Sequence, residues 1–152
     1  MALGLGCLPA HVVPARIKNW LKAEKLDFVQ LIGEQSRNTL FNYSIGLESG
    51  TKINVFQYSN KIDSICVSAV LDLLPNHIKK LSQKSSADRE AVFSEVRFKL
   101  ACLDVAVTFG ENKMVVSNNI YFDGLTKDRF FKAVTDIEKA YNLAGWVMKQ
   151  LL

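Results

Sequence analysis

The sequence predicts an α+β fold: an antiparallel meander sheet flanked by three main helices, in the order α-β-β-β-β-α-β-β-α. Three observations lead there. Apolar and polar residues alternate from Thr39 to Leu71, interrupted only at Glu48-Ser49-Gly50 and Ser59-Asn60-Lys61. Alternation with period two marks strands buried on one face, and such short polar breaks make the connections hairpins. Two stretches of helical period, over about 87–103 and from Thr126 onward, enclose a second hairpin. Strands grouped in hairpins with helices between them fit an α+β arrangement, not the parallel sheet of an α/β protein.

The elements follow in order. Residues 1–12 read as a loose N-terminal extension, with too short an apolar run and no basic start for a secretory leader. Pro14 suits a first helical turn, and Ile17, Trp20, Leu21 and Glu24 follow at helical spacing, which predicts a helix over about 14–25. Residues 27–33 read as a strand and 34–38 as a loop. In the meander, three-residue loops at 48–50 and 59–61 set Ile45 opposite Ile53, Tyr43 opposite Val55 and Tyr58 opposite Ile62. Val55 then meets Ile65. Both turns keep one apolar face and leave Asn42, Ser44, Lys52, Asn54, Ser64, Cys66 and Ser68 on the other.

Pro75 starts a short helical segment, and Ser85 or Ser86 can cap the helix over 87–103, with Asp88 and Glu90 in its first turn. That helix carries Val92, Val96, Leu100 and Leu103 on one arc and Ala91, Phe98 and Cys102 on a second. The hairpin pairs Val107 with Val116 and Phe109 with Met114. Thr126 caps a last helix with the stripe Phe130, Val134, Ile137, Tyr141, Ala144 and Met148.

At 152 residues, 49% of them apolar, the chain suits one domain with its own core, residues 1–152. The net charge of +4 is spread among acids. Three cysteines at long spacings, Cys7, Cys66 and Cys102, indicate neither a zinc site nor a disulfide framework and suit a reducing cytoplasm. No segment approaches the roughly 20 apolar residues of a membrane span.

Catalysis needs convergent groups, and the sequence has no G-x-S-x-G, P-loop, G-x-G-x-x-G or H-E-x-x-H. No cofactor or catalytic residue is expected. His11 and His77 read as surface histidines, Cys66 and Cys102 as buried or half-buried thiols, and Trp20 and Trp146 as core anchors. One cluster breaks the pattern: Leu40, Phe56, Tyr58 and Ile62 gather on the polar sheet face. Either the extension covers them with Leu3, Leu5 and Leu8, or they dock a partner segment. The second arc, Ala91, Phe98 and Cys102, either bridges sheet and terminal helix or forms a homodimer interface. A second reading of the chain is RNA or polyanion binding through Lys79, Lys80, Lys84 and Arg89.

The leading helix, the meander ending in Ser68-Ala-Val-Leu-Asp-Leu-Leu-Pro75, the middle helix, the hairpin and the long last helix together resemble the type III secretion chaperone-like fold. Within it, the likeness is to the uncharacterised archaeal and YbjN-like members. It covers about 14–150 and implies a small acidic or neutral α+β module, often dimeric, that binds an extended segment of another polypeptide on sheet and helix surfaces. With the cysteines and the missing motifs, the chain reads as a cytoplasmic, non-enzymatic binding module.

Overall fold

The alternating stretch becomes three long strands of a six-stranded antiparallel sheet, ordered β1-β2-β3-β4-β6-β5, in a computed structural model that describes residues 9–152. A 3-10 turn over Ala10–Val12 leads into α1 (Val13–Ala23), followed by β1 (Asp27–Gln30), β2 (Thr39–Gly46), β3 (Lys52–Tyr58) and β4 (Ser64–Asp72). Two helices come next, α2 (Pro75–Ser82) and α3 (Ser86–Leu100), then the hairpin β5 (Ala106–Phe109) and β6 (Lys113–Tyr121), and finally α4 (Lys127–Leu151). The α+β class and the element order hold, with the short segment at Pro75 adding a fourth helix. Of the expected N-terminal extension, Leu3, Leu5, Cys7 and Leu8 lie outside the described residues. The first strand is shorter than expected. A 3-10 turn over Gly33–Ser36 follows it, entered through Gly33 at φ +68°, a left-handed conformation that glycine adopts without steric cost.

The β2–β3 register is the expected one, with Tyr43 opposite Val55 and Ile45 opposite Ile53. The β3–β4 register is not. Val55 faces Val67 and Phe56 faces Cys66, so the strands are offset by two residues from the three-residue loop reading. Residues 59–63 form a wider loop instead, held by Gln57 Nε2 donating to the Lys61 carbonyl at 2.8 Å and by Lys61 N donating to the Tyr58 carbonyl at 3.0 Å. An offset of two preserves parity, which is why every strand residue keeps its predicted face. Ile62 leaves the strand and stands in this loop.

All four helices bury their apolar stripes in one cluster with the inward strand residues Tyr43, Ile45, Ile53, Val55, Ile65, Val67, Met114, Val116 and Ile120. From α1, Val13, Ile17 and Leu21 enter it, Trp20 tilts against Phe130 at 5.8 Å, and the Tyr43 hydroxyl donates to the Pro14 carbonyl at 3.3 Å. α3 turns in Val92, Val96 and Leu100, and its Phe93 stacks on Phe109 at 4.1 Å. Its N-terminus is capped by Ser85 Oγ, which accepts from Asp88 N at 3.1 Å. Thr126 caps α4 in the same way through Arg129 N. The α4 stripe packs on β3, β4 and β6 and on α3, with Phe130, Ile137 and Ala144 sealed from solvent.

Truncation at the middle of this stripe is therefore costly. Ile137→Ala is expected to lower unfolding free energy by about 2–5 kcal/mol, whereas Thr126→Ala, which removes only a cap, should cost about 1 kcal/mol. Urea titration followed by far-UV circular dichroism measures both.

Candidate partner-binding surface

Because the helices occupy one face, no described helix covers the other. Along that face the central strand β4 presents the small groups Ser64, Cys66 and Ser68 at one end, before the exposed Val70, while its neighbours there present larger ones. Phe56 and Tyr58 of β3 stand on one side, their rings edge to face at 4.9 Å, and Tyr121 of β6 stands on the other. Between Tyr58 and Tyr121 lies a hollow of about 220 Å³, lined also by Ser64 and Cys66 and by the polar Lys61, Asp63 and Asn119. Recession between larger neighbours is why Ser64, Cys66 and Ser68 are buried on a face open to water. Burial pushes the Cys66 thiol up to about 11 from its usual 9.0, and the phenol of Tyr43, inside the core, is also pushed up by burial.

Of the four residues read as a partner-binding cluster, Phe56 and Tyr58 meet as expected, and Tyr58 remains 45% exposed. Leu40 is exposed at an irregularity in β2 between Thr39, which pairs with Tyr58, and Phe41, which pairs with Gln57. Ile62 is 77% exposed in the 59–63 loop and does not pair with Tyr58, a consequence of the two-residue offset. Tyr121, exposed at the other wall, went unpredicted. Its signal was its position one residue beyond the inward Ile120 in a strand that continues past Ser117.

On α3, the arc Val92, Val96 and Leu100 faces the core and leaves Ala91, Phe98 and Cys102 exposed, Phe98 by 74%. Cys102 is thus not the half-buried thiol its apolar arc suggested. Of the four basic residues, Lys79 is exposed, while Lys80 and Arg89 are engaged within the chain. Lys80 Nζ donates to the Leu152 main-chain oxygen, and Arg89 donates to the Lys84 carbonyl at 3.1 Å and to Ser86 Oγ at 3.2 Å. Two further readings are corrected. His77 is 7% exposed, not on the surface, because α2 lays it against the C-terminal half of α4. Trp146 is 58% exposed at the edge of the α4 stripe.

Sequence patterning also missed polar groups inside. Asn118 has inward parity on β6, donates Nδ2 to the Asp104 carbonyl at 2.7 Å and accepts from Arg129 at 3.3 Å. This joins β6 to the segment before β5 and to the first turn of α4. Asp136 is buried and accepts from Lys132 at 2.6 Å. Among the described residues no group of three or more His, Cys, Asp or Glu is placed to hold a metal ion, and no helix is long and apolar enough to cross a membrane.

These features define a small α+β protein with a one-sided helix layer and an open, aromatic-walled sheet face. The chain belongs to the family described as uncharacterized conserved protein (DUF2299), matched over residues 14–148. It is similar to an uncharacterized protein from Methanothermobacter thermautotrophicus, at 26% identity and a TM-score of 0.72, over 90% of this chain and 96% of that one. A chain of the ExsC-ExsE complex shares the fold at a TM-score of 0.54 and 13% identity, over 91% of this chain and 96% of that one. No curated protein matches the sequence.

The burial of Cys66 has a measurable consequence. A thiol whose acidity is weakened by folding stabilises the native state fully below pH 9.0 and loses that contribution as pH rises to about 11. The wild type should lose up to about 2–3 kcal/mol across that window relative to Cys66→Ala. Iodoacetamide at pH 8 should alkylate Cys102 and spare Cys66, as read by peptide mass spectrometry.

Proposed function

We propose that this protein is a non-enzymatic, chaperone-like binding module that captures an extended segment of another polypeptide on its open sheet face. The observation that carries this is the group of aromatic residues Phe56, Tyr58 and Tyr121, with a hollow between the two tyrosines, on a face that no described helix covers. Apolar side chains of the partner would be buried against Phe56, Tyr58, Leu40 and Ile62, at roughly 25 cal/mol per Å² of apolar surface removed from water. The fold shared with a chain of the ExsC-ExsE complex, itself an assembly of two proteins by its name, supports the type III secretion chaperone-like reading. In this reading residues 1–152 act as one domain in the cytoplasm, which suits the free thiols of Cys66 and Cys102.

The same reading includes a homodimer through Ala91, Phe98 and Cys102. Phe98 stands out from α3 beside the Glu95–Lys99 ion pair, an apolar centre with a charged rim. Polyanion binding through Lys79, Lys80, Lys84 and Arg89 has less support, since Lys80 and Arg89 are already spent on internal acceptors.

Affinity purification from the source cells, with nuclease and high salt, tests the capture. A protein should co-elute with the wild type and be lost with Phe56→Asp/Tyr58→Asp, whose far-UV spectrum stays native. Equal recovery by the folded double variant rejects the site, and recovery of nucleic acid alone rejects the class. For the dimer, Phe98→Asp should halve the mass measured by light scattering, and an unchanged mass places the contact elsewhere.

A further inference from the structure

At the end of β4 away from the aromatic hollow, a cleft of about 360 Å³ opens between the β4–α2 junction and the C-terminal half of α4. His77 lines it, 7% exposed, and among the described residues its imidazole has no hydrogen-bond or ionic partner. Its ring nitrogens still reach the solvent of the cleft, so their hydrogen bonds are open to water or to a ligand there.

A second observation is independent. Gly145 lines the same cleft from the interior of α4, and a Cβ built there would meet no atom within 4 Å. Glycine weakens a helix interior, and close packing does not require it here. What its missing side chain leaves is room in the cleft. On either side of it along α4 stand the rings of Tyr141 and Trp146, the latter largely exposed.

Polar groups line the cleft beside the rings. Lys80 Nζ donates to the Leu152 main-chain oxygen, tying α2 to α4 about one turn beyond His77 and Lys149. His77 and Lys149 both line the cleft, and Lys149, like His77, has no partner among the described residues. Asp72 also lines the cleft and forms no ion pair with Lys113 or Lys149 among the described residues, so Lys149 is left to a ligand.

We propose that this cleft is a binding site for a small aromatic carboxylate, its ring held by Tyr141 and Trp146 over Gly145 and its carboxylate by His77 and Lys149. The volume lies near the lower bound of small-molecule sites, about 300–1,000 Å³, which fits a ligand of one or two rings. The site is separate from the open sheet face and does not depend on what binds there.

Titration of the full chain with 3-phenylpropionate and with indole-3-acetate, followed by nitrogen-15 NMR, tests it, with the matching primary amides as controls. Expected are saturable shifts at residues around the cleft and affinity at least about tenfold weaker for the amides, since the charge-assisted bonds are lost. Gly145→Leu, placed where a side chain has space, should keep or raise the Tm and weaken both carboxylates by about tenfold or more. His77→Ala should weaken them similarly. No saturable binding by either carboxylate, equal binding of the amides, or undiminished binding by a folded Gly145→Leu variant would each overturn the proposal.

Discussion

The packing of α4 against a single face of the sheet is the constraint on which the other features depend. Its stripe, from Phe130 through Ile137 and Ala144 to Met148, supplies apolar cover to β3, β4 and β6 and gives α3 a flank to lie against. With α1 packed against Phe130 through Trp20, one side of the sheet is filled. The strands' other side is left to water, so its composition is free to serve recognition. Alternation along β2, β3 and β4, broken only near Leu40 and at the buried amide of Gln57, is what lets one side be core and the other surface.

Much of this was legible because parity is insensitive to small errors. The β3–β4 offset of two residues left Val55, Ile65 and Val67 facing inward, so the core was read correctly from a wrong register. The loop length was not legible, because it depends on Gln57, a buried amide that binds the Lys61 carbonyl from an inward position where the pattern leads one to expect an apolar side chain. That one contact moved Ile62 out of the sheet. The placement of the proposed partner-binding cluster was therefore half legible: Phe56 and Tyr58 sit where alternation puts them, while Leu40 falls at an irregularity and Ile62 in a loop.

His77 and Trp146 failed for a different reason. Eight residues of α2 span little more than two turns, too few for periodicity to say which side is buried, and that side is chosen by the end of a helix about 70 residues later in sequence. Trp146 lies at the margin of the α4 stripe, where the angle alone does not decide. Both residues line the cleft at that helix end, a place that exists only once two distant segments have met. Asn118 shows the same limit for polar groups: nothing near it in sequence foretells Asp104 or Arg129 as its partners.

The position of α4 in the chain also orders how the molecule can be made. β2 to β4 leave the ribosome by Asp72, yet the helix that shields their apolar side begins only at Lys127. For that interval the nascent sheet has α1, and then α2 and α3, to cover only part of its inner surface. Docking of α4 joins segments far apart in sequence, and such contacts form slowly because the intervening chain must first be ordered. Completion of the core is thus a late event in synthesis, and the meander spends the longest time with its apolar side open to wrong partners.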